Sequence, residues 1–240
     1  LSRKALTQSL DDSLTRLNMD YVDLLQIHRW DYNTPIEETL EALTDLVKAG
    51  KVRYIGASSM FAWQFMKSLA VSERQGLSAF ASMQNYYNLL YREEEREMLP
   101  LCKAEGIAVL PWSPMARGLL TRDWGEETAR TKTDAVMPIL YDETADADRK
   151  VIEAVAQVAA DRGVPRAQIA LAWVLNNPTV TAPIIGATKA HHLDDAVAAT
   201  ALKLDDDEVA TLEKSYVPHA HVGDAKRMPV LGQVRLRDAE

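Results

Sequence analysis

Apolar residues recur along this chain in alternating rhythms, a four-residue helical stripe and a short continuous run. Leu6, Leu10, Leu14 and Leu17 share one helical stripe, with Ser2 placed to cap it. In Asp20-Tyr-Val-Asp-Leu-Leu-Gln-Ile-His-Arg-Trp-Asp31, the residues Leu24, Leu25 and Ile27 read as a strand buried on both faces, as parallel strands are. Thr34-Pro-Ile-Glu37 combines an N-cap, a first-position proline and a capping-box glutamate. Ile36, Leu40, Leu43 and Val47 then supply a buried stripe that Gly50 stops. A second strand follows over 51–59, a helix over 61–75 stopped at Gly76, and a third strand over 80–85. Tyr91 to Glu97 opens a helix with an acidic first turn; Pro100 kinks it and Gly106 ends it.

A fourth strand, 106–115, leaves through a proline-rich exit. The stretch 117–144 has no periodicity and reads as a long functional loop. Helices over 146–162 and 165–176, a fifth strand over 181–188, and helices over 192–200 and 204–214 complete the pattern, with Asp205 as the last cap. The tail after Val217 is irregular.

Strand-plus-helix units thus repeat every 25–35 residues or so, the size of one βα module. Two architectures fit. A doubly wound sheet of five strands would be complete as given, but its nucleotide normally sits on a glycine-rich first turn. Neither G-x-G-x-x-G nor G-x-x-x-x-G-K-[ST] occurs. A (β/α)8 TIM barrel needs eight units in ~250 residues. The chain opens on a helix, so on that reading it is an incomplete barrel lacking about the first three βα units, with residues 1–223 as its later two-thirds and 224–240 as an irregular tail. Such an arc would leave two unpaired sheet edges for other residues to cover.

Composition narrows the function classes. The 240 residues are 47% hydrophobic and 26% charged, as in ordinary globular proteins, and no apolar run approaches the ~20 residues a membrane span needs. A single cysteine, Cys102, excludes an internal disulfide and suits a reducing cytoplasm. A net charge of −8 argues against nonspecific binding of nucleic acid or membrane surfaces, so an anionic ligand would need a local basic cluster.

His28 arrives where the first apolar run ends. Carboxyl ends of parallel strands are where α/β proteins place ligands, and an imidazole there can act as acid, base or carbonyl-orienting donor. The later strand ends sharpen this. Asp23-Leu-Leu-Gln-Ile-His-Arg29, Gly50-Lys-Val-Arg-Tyr-Ile-Gly-Ala-Ser58, Gln84-Asn-Tyr-Tyr-Asn88, Pro111-Trp-Ser-Pro-Met-Ala-Arg-Gly-Leu-Leu120 and Ile184-Ile-Gly-Ala-Thr-Lys189 together resemble the aldo-keto reductases. The resemblance spans roughly residues 1–223. It implies a barrel that binds extended NADP(H) without a Rossmann motif and reduces aldehydes or ketones to alcohols.

The resemblance also implies roles. His28 matches the histidine that orients the carbonyl; the family's tyrosine, lysine and aspartate belong to the first three units and have no counterpart here. Trp112 matches the ring that stacks on the nicotinamide, and Ser58, Gln84 and Asn85 the polar residues that hold its carboxamide. Ser113, Met115 and Gly118 match the segment around the pyrophosphate, with Arg117 beside it, and Arg130 a loop arginine that clamps the cofactor. Gly186, Thr188, Lys189, His192 and Asp195 match the segment that receives the adenosine 2′-phosphate and adenine. Backbone donors at a helix start plus Lys189 suit an anion on electrostatics alone. His192 stands where relatives often carry Arg or Gln, and Asp195 where Glu is usual, so NADP over NAD is an expectation at this point.

Trp30, just past His28, is placed to line a substrate mouth. His191-His192 and His219-Ala-His221 lack the companions of a tetrahedral metal set, so no metal is expected. The acidic run 93–97 reads as a solvated helix face, and the methionines as core fillers. Two rivals stand beside the enzyme: a non-catalytic regulatory subunit that binds cofactor on the same barrel, and an unrelated open-sheet binding domain. Strand order separates the last from the others.

Overall fold

The computed structural model describes residues 1–126 and 144–219. Four strands, β1 (Val22–Gln26), β2 (Val52–Ser58), β3 (Phe80–Gln84) and β4 (Ala108–Val109), form one parallel sheet in strict chain order. No switch point interrupts that order, as it would in a doubly wound sheet. The chain is therefore a parallel α/β fold with the strand sequence of a (β/α)8 barrel, present as an open arc. The sheet does not close among the described residues. The segment 180–184 extends the arc through parallel bridges from Val180 to Val109 and from Ile184 to Trp112. It stops short of the fifth strand the sequence suggests, because Pro183 supplies no N–H to a ladder.

Helices α1 (Arg3–Leu17), α2 (Ile36–Lys48) and α3 (Ala62–Gln75) pack apolar faces into one core, with Leu10, Leu40, Leu43 and Phe65 essentially buried, but Leu17, the last of the expected α1 stripe, is exposed at the helix end. Ser2 caps α1 as expected, its hydroxyl accepting from the Ala5 amide, and Gly76 ends α3 at φ +64°. The capping box expected at the start of α2 is absent. Pro35 precedes the first helical residue, no side chain caps it, and the Thr34 hydroxyl donates to Asp31 instead.

The expected helix opening at Tyr91 also differs. Residues Glu93–Glu95 make a single 3₁₀ turn and α4 (Met98–Ala104) starts two residues before Pro100. A proline in the first turn costs no internal hydrogen bond, so the helix begins there rather than kinking there. Leu24 corrects a further expectation. It is 38% exposed beside its register partner Tyr54, which is 66% exposed, so β1 is not buried on both faces.

Helices α5 (Ala145–Arg162), α6 (Arg166–Asn176), α7 (Ala190–Ala201) and α8 (Asp206–Glu213) follow. Asp205 and Glu208 form a true capping box on α8. Arg130 and the tail 224–240 lie outside the described residues. No described helix is long and apolar enough to cross a membrane.

Gly56 leaves no room for a side chain within the sheet. A Cβ there would sit 2.4 Å from Ser82 Oγ and 2.8 Å from Gln26 Cγ, beside a register shift between Ile55 and Gly56. Gly56→Ala should therefore destabilise the protein by about 2 kcal/mol through overpacking, read by chemical denaturation. Adding Ser82→Ala, which removes the nearest atom, should recover part of that loss.

Candidate active site

The carboxyl ends of β1, β2 and β3 are joined by side chains. Gln26 closes β1 and donates from Nε2 to Ser82 Oγ at 3.0 Å, and its Oε1 accepts from Gln84 Nε2. Ser58, buried at the end of β2, donates to the Gln84 carbonyl at 2.7 Å and lies 3.1 Å from the Ser59 hydroxyl. Ser59 holds a left-handed φ of 48° and accepts from Trp112 Nε1 at 3.0 Å. A non-glycine residue in that region is strained, and such strain gathers at functional positions.

Trp112 lies beyond β4, bridged to Tyr86 on one side and Ile184 on the other. Tyr86 stacks on its ring, centroids 4.4 Å apart and planes 23° from parallel. A further flat ring could use only the opposite face of the indole. His28 follows β1 at the same end and is exposed. Its neighbour Arg29 donates to the Ser59 carbonyl at 3.4 Å, so the His28 loop and the Trp112 indole meet at Ser59.

Not every expected residue turns to this edge. Alternation along β3 sends Gln84 to Gln26 but Asn85 the other way, where its Nδ2 donates to Glu94 Oε2 at 3.3 Å. Asn85 reaches the edge only through its carbonyl, which accepts from the Trp112 amide at 2.8 Å. The acidic run is not a solvated face. Glu94 is 7% exposed, and Glu93 is drawn into contacts with Tyr216, His219 and Arg96.

The segment after Trp112 is the most strained in the molecule's described part. Ser113, Ala116, Arg117 and Gly118 all have positive φ. The Ser113 carbonyl accepts from Asn88 Nδ2 and the Ala116 amide, and Met115 begins the 3₁₀ turn Ala116–Thr121 by accepting from the Gly118 amide. At Gly118, φ +92°, an added Cβ would stand 2.7 Å from Arg122 Nη1. Met115, at φ −103°, followed by the left-handed Ala116 gives the alternation of hands from which concave anion-binding turns are built.

Gly186, Thr188 and Lys189 are exposed before α7, with Lys189 as its N-cap. The Thr188 amide donates to His192 Nδ1 at 3.3 Å, and Asp195 accepts from Gln168. Trp30 is half-buried, its ring 6.1 Å from that of Trp63.

Two clefts, of about 260 and 230 Å³, lie elsewhere. One runs between α3 and the turn Glu105–Ile107 that follows α4. The other runs between Met60–Ala62 and Glu93–Met98. Cys102 carries no nucleophilic chemistry, because burial pushes its thiol up to about 12.

Sequence reasoning passed over Gln26, Ser59, Tyr86 and Glu94. A glutamine inside an apolar strand was the available sign for Gln26, and the doubled serine for Ser59. Tyr86 and Glu94 matter through partners distant in sequence, which no local pattern marks.

Residues 1–217 match the family model described as the Aldo/keto reductase family. The chain belongs to that family. It is 45% identical over 227 residues to the versiconal hemiacetal acetate reductase of Aspergillus parasiticus, a match covering 93% of this chain and 66% of the relative. It is 46% identical over 220 residues to the aldo-keto reductase dtxS3 of Metarhizium robertsii, covering 91% of this chain and 59% of that protein. The chain thus spans three-fifths to two-thirds of the length of these relatives.

Proposed function

We propose that the complete protein reduces aldehydes or ketones to alcohols with NADP(H). The observation that carries this reading is the hydrogen-bonded row Gln26–Gln84–Ser58–Ser59–Trp112 along adjoining carboxyl ends of parallel strands. When bound, the cofactor supplies the hydride; the protein's part is to hold and orient.

Trp112, backed by Tyr86, offers one aromatic face to the nicotinamide and so fixes the face presented to substrate. Ser58 and Gln84 stand where polar groups would hold the carboxamide, and Asn85 supports them through its main chain. The turn carrying Ser113, Met115, Arg117 and Gly118 suits a pyrophosphate, with Arg130 as an added clamp. Gly186, Thr188, Lys189, His192 and Asp195 lie at the start of α7, and the Lys189 ammonium favours the 2′-phosphate of NADP over NAD. His28 would orient the carbonyl oxygen and Trp30 would wall the substrate mouth. The lone cysteine fits a cytoplasmic setting.

Carbonyl-dependent oxidation of NADPH by the complete protein tests this. Turnover is expected, and Trp112→Ala should weaken NADPH binding roughly five-fold, the worth of about 1 kcal/mol of stacking. Absence of NADPH binding at micromolar concentrations would overturn the proposal. Tight binding without turnover would favour the regulatory-subunit reading.

A further inference from the structure

The side chains of Glu94 and Asn85 form a buried polar pair to which the reading above gives no task. Asn85 is 1% exposed and Glu94 7%. The Asn85 amide gives its N–H to Glu94 while its Oδ1, also buried, has no hydrogen-bond partner among the described residues. Leaving a buried carbonyl unsatisfied is costly, and such groups in a folded protein call for an explanation. The turn that carries Glu94 is clamped on both sides. Arg92 grips Glu95 through two hydrogen bonds, and Tyr216 and His219 both donate to Glu93. Glu94 is thereby driven inward beneath the end of β3.

We propose that Glu94 is a positioning residue for the Trp112 shelf, acting through Asn85 and switching with its own proton. The inference rests on the NADP(H) reading. As a carboxylate, Glu94 accepts from Asn85 Nδ2 and holds the amide as the structure has it. As a carboxylic acid it gains an O–H whose best acceptor is the Oδ1 now lacking one, and the amide turns over to meet it. The Asn85 carbonyl on the Trp112 amide, at 2.8 Å, and Tyr86 stacked on the indole carry that change to the cofactor edge.

The surroundings place both forms near neutral pH. Burial raises the Glu94 carboxyl most, the Asn85 hydrogen bond lowers it, and the adjacent Glu93 carboxylate raises it, for a value of about 7. Among the described residues, the Cys102 thiol on α4 also feels its charge, and Arg96 and Glu97 line the shared cleft, with Arg96 already engaged by Glu93.

The test compares NADPH affinity of the complete protein and its Glu94→Gln variant between pH 6 and 8.5. Taking the ratio of their Kd values cancels the titration of the cofactor's own phosphate. The side-chain amide of the variant can accept from Nδ2 and donate to Oδ1 at every pH, so the wild-type to variant ratio should fall at least three-fold as pH rises, with a midpoint near 7. A flat or rising ratio, with both proteins melting cooperatively, would overturn the proposal. If neither protein binds NADPH, the cofactor reading fails but this inference is still decided. The emission difference between wild type and Trp112→Phe should then change over the same range and lose that change in the Glu94→Gln background. A difference spectrum unmoved by pH would refute it.

Discussion

Replacing Arg92 with alanine should lower the stability of the protein by about 3 kcal/mol, near the low end for stranding a partly buried charge cluster. Its guanidinium is mostly buried and forks onto Glu95 through Nε and Nη2 at 2.9 and 2.8 Å, with Nη1 2.8 Å from Glu213. It also lies over the rings of Trp173 and Tyr216 at 5.4 and 5.3 Å. Burial disfavours its charge, but the Glu95 and Glu213 carboxylates outweigh that and raise its pKa. Removing it leaves the Glu95 and Glu213 carboxylates without their shared cation and takes the guanidinium away from the ring of Tyr216, whose hydroxyl donates to Glu93. For a domain of this size the loss corresponds to a fall in Tm on the order of 8 °C. Arg92→Lys keeps the charge without the fork and should fall between the two. An Arg92→Ala protein that melts within 2 °C or so of wild type would show that the cluster is only a surface array.

The second large effect is a pH dependence that Glu94→Gln should largely remove. The folded protein holds the Glu94 proton up to about pH 7, whereas the unfolded chain releases it near the ordinary carboxyl value of 4.5. Stability from this site is therefore complete below pH 4.5 and is lost as pH climbs through 7. The difference of two to three pH units corresponds to about 3 kcal/mol at pH 8.

His219 works in the same direction. Burial lowers its pKa, but the Asp148 carboxylate at 3.2 Å and the Val217 carbonyl outweigh that and raise it above 6.5. Its contribution is present below 6.5 and fades as pH rises through the raised value. Glu93 opposes both at the acid end. Burial raises its carboxyl, but Tyr216, the His219 amide and Arg96 outweigh that and hold it low, so its contribution disappears as pH falls through that lowered value. Urea denaturation at pH 5.5 and pH 8 should thus show wild type weaker at pH 8 and Glu94→Gln largely relieved of that loss. Equal pH dependence in both proteins would mean that Glu94 is solvated.

The elements that could be read from the chain are those whose signals are local. The leucine stripe of α1, the Ser2 cap, the Gly76 stop and the Asp205 capping box each sit within a few residues of the structure they specify. The misreadings occur where a distant partner intervenes. Thr34 has the chemistry of a cap but spends its hydroxyl on Asp31. The acidic run resembles a solvated helix face until Tyr216 and His219, over 120 residues away, come down on Glu93. The site divides in the same way. Ser58, Gln84 and Trp112 were marked by the resemblance to the aldo-keto reductases, and the structure brings them to one edge of the sheet. Asn85 was grouped with Gln84 by the same resemblance, but alternation along a strand sends neighbours to opposite faces, and its side chain goes to Glu94. Ser59 and Gln26 are defined by pairing across strands, and only the assembled sheet brings their partners within reach.

The central claim is that a nicotinamide lies on the exposed face of the Trp112 indole, held at the ends of the neighbouring strands. A crystal structure of the complete protein grown with NADP⁺ measures this directly. The account predicts the nicotinamide ring stacked against Trp112 on the side away from Tyr86, its carboxamide within hydrogen-bond reach of Ser58 and Gln84. A cofactor seated at the opposite end of the strands, or one leaving the Trp112 ring untouched, would contradict it.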